Sequence, residues 1–135
     1  MRLALDPAAL AWALHPQGHV ARAALLQHAS LVPSPAISRL RRLRGETADA
    51  TGLRRNDVWD LLTALLSRVE AVERERYEEF LPLAHRLAGP ERAPALAVAL
   101  AMEVDALLAG DAGFARQDLV PVLPAWPRAR QRRLP

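Results

Sequence analysis

The chain has 135 residues, with 18 basic side chains, all arginine, against 15 acids and a formal net charge of +3. The absence of cysteine excludes disulfides, zinc–thiolate sites and cysteine nucleophiles, and no apolar run approaches the roughly 20 residues of a membrane span. With 51% hydrophobic and 24% charged residues, the sequence reads as one soluble domain expected in the cytoplasm, its all-arginine basicity and Ala/Leu richness as readily a coding bias as a functional signal.

Arg2-Leu3-Ala4-Leu5 is a short apolar run that predicts a buried strand. Asp6-Pro7 supplies a cap and a first-turn proline, so a helix is expected through Ala13. His15-Pro16-Gln17-Gly18 is a turn, and Val20, Ala23, Ala24 and Gln27 mark a second helix over residues 19–28. Ser30 to Pro33 predicts the second strand. Ser34-Pro35 repeats the helix-start signal, and Ile37, Leu40 and Leu43 give the third helix its stripe. Gly45 to Gly52 is polar and small, and reads as a loop. Asn56 or Asp57 caps the next helix, whose stripe is Val58, Leu61, Leu62, Leu65 and Leu66. Val69 to Val72 reads as the third strand. Phe80, Leu81, Ala84 and Leu87 predict a helix over residues 77–87, ended by Gly89-Pro90. The nearly continuous apolar run Ala93 to Met102 predicts a buried helix. Asp105 to Ala109 predicts a strand followed by Gly110-Asp111, and Asp118 to Val122 the last strand.

Short apolar strands separated by helices imply an α/β fold: a mainly parallel sheet of about five strands with helices on both faces. One domain is expected over residues 1–124, followed by a Pro/Arg-rich tail over 125–135. That tail carries Arg128, Arg130, Arg132 and Arg133; without them the remainder holds 14 arginines against 15 acids. A second basic run comprises Arg39, Arg41, Arg42, Arg44, Arg54 and Arg55, and an acidic run from Glu70 to Glu79 offsets it. Such asymmetry suits a polyanion at one face, or a solvated helix surface.

Open parallel sheets bind ligands beyond the carboxyl ends of their strands. Asp6 and Asp111 both follow strands, and if those strands are neighbours the two carboxylates share a crevice. There they could hold Mg²⁺ or Mn²⁺, which take oxygen ligands. Each acid also has a structural explanation, Asp6 as a helix cap and Asp111 as a turn residue. There is no glycine-rich phosphate loop and no Gly-x-Ser-x-Gly, and the four histidines show no metal-binding spacing. Trp12, Trp59 and Trp126 read as packing residues rather than stacking platforms.

The stretch from Arg92-Ala93-Pro94 through Glu103-Val104-Asp105 to Ala109-Gly110-Asp111 resembles the C-terminal half of the PIN-domain family. There an Asp-Ala-Pro opens a buried Ala/Leu-rich helix and the following strand ends in Thr-Gly-Asp. Leu3-Ala4-Leu5-Asp6 resembles the family's first strand with its metal-binding Asp. Ser34-Pro35-Ala36-Ile37 resembles the start of the helix that bears a family Glu, and Val120-Pro121-Val122-Leu123 the final strand. The resemblance spans most of residues 2–124, its middle being the least specific. It implies a parallel sheet of order 3-2-1-4-5, in which strands 1 and 4 are neighbours. It also implies kinship with Mg²⁺-dependent ribonucleases, among them the toxins of toxin–antitoxin pairs, which use three or four clustered carboxylates.

Asp6 and Asp111 match the family's metal-binding positions. The family Glu falls near Arg39 or Leu40, the Asp of Asp-Ala-Pro is Arg92, and the Thr is Ala109. A catalytic set would therefore be Asp6 and Asp111, with Glu91 as the third acid and Glu46 as a further substitute from its loop. Arg92 puts a cation where a metal should bind, so Mg²⁺ or Mn²⁺ binding is expected to be weak or absent. The expectation is an RNA-directed protein that contacts phosphates through Arg39, Arg41, Arg42, Arg44 and Arg92, with ribonuclease activity weak or lost. The alternatives are an active metal-dependent endoribonuclease and a non-enzymatic interaction module. The partners expected are RNA, an antitoxin-like protein and a second copy of the chain in a homodimer, with no membrane.

Overall fold

A computed structural model describes residues 1–42, 44–110, 112–114 and 116–125. The apolar segments at Arg2–Leu5 (β1), Ala29–Pro33 (β2), Val69–Val72 (β3), Ala106–Ala109 (β4) and Val122–Pro124 (β5) form one sheet of order β3-β2-β1-β4-β5. Every pairing is parallel, with Leu3 opposite Ser30 on one side of β1 and Leu5 opposite Leu108 on the other. The helices are α1 (Pro7–Trp12), α2 (His19–Gln27), α3 (Ser34–Arg42), α4 (Arg44–Thr51), α5 (Arg55–Leu66), α6 (Arg74–Tyr77), α7 (Leu81–Ala88) and α8 (Ala93–Ala101).

Alternation along the strands sorts the helices into two layers. Leu3 and Leu5 of β1 and Ala106 and Leu108 of β4 face one side, where they pack with Leu10, Leu25, Leu40, Leu62 and Leu65 of α1, α2, α3 and α5. Ala4, Leu107 and Ala109 face the other, where they meet Leu96, Val98 and the alanines of α8, with Tyr77 and Ala84 beyond. Alanine has the highest helix propensity and almost no bulk, so α8 can lie directly on the sheet centre. Pro94 suits its first turn. Its far end closes with Glu103 at φ 51° and the Val104 N–H donating to the Ala99 carbonyl at 3.2 Å. Arg2 then ties this turn to β1: its N–H donates to Asp105 Oδ2 at 2.8 Å and its Nη1 to the Met102 carbonyl at 2.9 Å.

Three expectations are corrected. Residues 45–52 do not form a loop: α4 occupies residues 44–51, with Ala48 buried, and Gly52 at φ 74° donates its N–H to the Ala48 carbonyl at 3.0 Å. Packing of α4 against α5 and α3, with Ala48 buried, overrides a weak local propensity. The expected helix over 77–87 is broken into α6, a 3₁₀ turn at Glu78–Phe80, and α7. Pro82 has no N–H and its ring crowds the carbonyl four residues back, so it falls in the first turn of a new helix. The last strand runs over 122–124 rather than 118–122. The Gln117 side chain accepts the Val120 N–H at 2.9 Å and donates to the Val120 carbonyl at 2.8 Å, which satisfies that backbone before the strand begins. The ladder reaches Ala125, whose N–H bonds to the Ala109 carbonyl at 3.0 Å, and the arginines of the tail lie outside the described residues. Among the described residues, no helix is long and apolar enough to cross a membrane.

Candidate functional site

Asp6 stands where β1 gives way to α1. Its N–H donates to the Leu108 carbonyl at 3.0 Å, extending the β1–β4 ladder by one residue, and its carbonyl accepts from Ala9 and Leu10 at 2.9 and 3.1 Å. The backbone alone therefore starts α1, and the carboxylate makes no capping hydrogen bond. Helix capping by the side chain is therefore not what the aspartate does at this position. Asp6 is only 5% exposed and lines a cavity of about 170 Å³ with Pro7, Ala8, Arg39, Glu91 and Arg92.

Three elements meet there. Asp6 comes from β1, Arg39 from α3, and Glu91 and Arg92 from the turn that leads into α8. A carboxylate taken out of water needs opposite charge or hydrogen-bond donors around it. Two guanidinium groups line the same cavity. Arg92 also runs against Gly113 in the segment after β4: a Cβ on that glycine would collide with Cδ, Nε and Cζ of Arg92. Glycine at 113 is thus what lets the arginine lie across the end of β4. Asp111, the second expected carboxylate, lies outside the described residues. Glu46, considered as a substitute, is an exposed residue in the first turn of α4 and is not among the side chains lining this cavity.

The basic run divides. Arg39 belongs to the Asp6 cavity, whereas Arg41 and Arg42 line a separate, wider recess of about 550 Å³ with Gly45, Arg55 and Trp59. Arg44 opens α4. Trp59 was not expected at a site. Val58, Leu62 and Leu65 form the buried stripe of α5, and a residue one past Val58 is turned about 100° away from it. The signal available in the sequence was that offset, together with Arg55 four residues earlier on the same face.

Among the described residues, no group of three or more His, Asp or Glu side chains could hold a metal. His15 instead stacks on Trp12 with ring centroids 4.5 Å apart and accepts the Gln17 N–H at 3.1 Å, a structural use. Asp6 and Glu91 are the described oxygen donors at the cavity, and they share it with two cations. Two described carboxylates are fewer than the several fixed oxygens that Mg²⁺ or Mn²⁺ wants, and Asp111 lies outside the described residues. Among the described lining residues two acids stand against two cations. No protein-family model matches the chain, and no curated protein matches it.

Proposed function

We propose that this is a PIN-like, RNA-directed binding protein whose metal-dependent ribonuclease activity is weak or lost. The observation that carries the reading is Arg92. It occupies the position where the resembled family has an aspartate, it lines the cavity with Asp6, and it lies against Gly113 just after β4. The parallel sheet of order 3-2-1-4-5 supports the same reading, because it makes β1 and β4 neighbours at this end. With a guanidinium where a ligand carboxylate would stand, the acids balance protein cations, and the remaining arginines contact phosphates. A cytoplasmic location belongs with this reading.

A second reading rests on Glu91, which lines the cavity beside Asp6. On it, Glu91 joins Asp6 and Asp111 as the acidic set of an active Mg²⁺- or Mn²⁺-dependent endoribonuclease, and an antitoxin-like partner or a homodimer becomes relevant. One experiment separates the two: RNA binding across a salt series, and RNA cleavage with Mn²⁺, for the native chain, Asp6→Asn and Arg92→Asp. The expected result is salt-sensitive binding with little or no cleavage by the native chain, and Mn²⁺-dependent cleavage gained by Arg92→Asp. Strong native cleavage that Asp6→Asn abolishes would establish the second reading. Absence of RNA binding at low salt would leave a protein-interaction module.

A further inference from the structure

The recess between α3, α4 and α5 has no part in the Asp6 cavity: the two share no lining residue. Among the described residues its lining is three arginines, one tryptophan and one glycine, without an acid. Arg41, Arg42 and Arg55 are exposed, and the ion pairs found among the described residues, Arg74–Glu78 and Arg76–Glu70, use none of them. Trp59 is 43% exposed, the one aromatic among the exposed large apolar side chains of the described residues. Arg55 and Trp59 are four apart on α5 and so share a face. The Arg55 guanidinium crosses the start of α4 beside Gly45, where an added Cβ would sit 3.6 Å from Cζ and Nη2, an ordinary contact distance.

The geometry points to a base-stacking site for single-stranded RNA in this recess, with one unstacked base laid on the Trp59 indole and flanking phosphates held by Arg41, Arg42 and Arg55. The inference rests on the RNA-directed reading above and names the nucleic-acid form that reading leaves open. A volume of about 550 Å³ falls within the usual range for small-ligand pockets, roughly 300–1,000 Å³, and so is of the right scale for a nucleotide unit. Every base presents a π-face, so an aromatic platform binds single strands with little regard to sequence, while arginines track the backbone. A duplex keeps its bases inside the stack and offers only phosphates. With no carboxylate among the described lining residues, the three positive charges suit an external polyanion.

The test measures binding of a fluorescent oligouridylate of about ten nucleotides to the full chain and to Trp59→Leu, Trp59→Phe and Arg55→Gln, with thermal melts to check the fold. An abasic strand of equal length, a duplex and polyglutamate serve as competitors. Trp59→Leu should weaken oligouridylate about 5- to 100-fold and leave the abasic strand unaffected, while Trp59→Phe retains most of the affinity. Arg55→Gln should lower the slope of log affinity against log salt by about 0.7. If Trp59→Leu binds oligouridylate as well as the native chain does, the stacking site is wrong and the RNA-directed reading survives. If the native chain binds no RNA, that reading falls and takes the site with it. Polyglutamate that competes equally and depends on Trp59 to the same degree would overturn the inference in favour of an acidic protein partner.

Discussion

The Asp6 cavity and the Arg41–Trp59 recess draw on the same basic run, and they differ in what stands opposite the arginines. In the first, Arg39 and Arg92 share about 170 Å³ with Asp6 and Glu91, so positive and negative charge are matched within the protein. In the second, three arginines share the recess with an indole, and no acid is among the described lining residues. Charge matched in a small, partly desolvated space is spent on the fold. Charge left unmatched at an open surface is available to a partner and is screened by salt when none is bound. Counting arginines along the chain therefore does not locate a binding surface. The composition of each lining does, and by that criterion the recess is the better place for phosphates.

The largest expected effect separates the two sides of α5. Leu62 points inward and is 2% exposed, whereas Trp59 points outward. Leu62→Ala should destabilise the fold by about 2–5 kcal/mol in urea unfolding, through lost burial and the cavity left behind. Trp59→Leu should change stability by less than about 0.5 kcal/mol, as surface substitutions do. A large stability loss at Trp59 would break the comparison, because the recess would then be a structural feature.

What the sequence allowed follows the same division. β1 and α8 were legible because their apolar residues run without interruption, β1 being closed by the helix start at Pro7 and α8 opened by Pro94. The strand order was expected only through the resemblance, since no local signal says that β1 and β4 are neighbours. The helix α4 was not legible: its stability depends on Ala48 meeting α3 and α5, a tertiary contact that residues 45–52 do not announce. The last strand was misplaced because Pro121 lies inside an apolar run, yet the Pro121 carbonyl does accept the Leu107 N–H at 2.8 Å while strand pairing proper begins at Val122. At the site, Asp6 was legible from its place after a strand, and Arg92 from the family position it occupies. Trp59 was not, because tryptophan is most often core. Its exposure depends on a helical phase that only the packed stripe at Val58, Leu62 and Leu65 defines.

Neutralising Arg41, Arg42 and Arg55 together should lower the single-strand salt slope by about 2, three phosphates at roughly 0.7 each. Arg39→Gln should leave that slope nearly unchanged, because Arg39 lines the balanced cavity. Equal effects at the two places would erase the distinction between spent and available charge. A smaller expected effect lies within the cavity. Gly113→Ala places a Cβ on Cδ, Nε and Cζ of Arg92, the far end of a flexible side chain that can swing aside, and should cost less than about 1 kcal/mol. Arg92→Ala in the same chain should recover most of that loss, and a double-mutant cycle of thermal unfolding measures the coupling. Additive effects would mean that Gly113 does not hold Arg92 across the end of β4.

The smallest effect supplies a control remote from both places. Tyr77 is buried in the apolar cluster with α8, and that burial raises its phenol pKa above the usual value of 10.0; Glu73 and Glu75 add to the shift and Arg74 opposes it. The raised value belongs to the folded state, so the fold favours the neutral phenol. Below the ordinary phenol range the group is neutral in both states and leaves stability independent of pH. As pH rises from about 10 through the raised value, the unfolded chain loses its proton first and stability falls. Tyr77→Phe should flatten that alkaline decline in a pH series of urea midpoints. Because Tyr77 lies under the face opposite α5, its ionisation should weaken RNA binding only where it unfolds the protein.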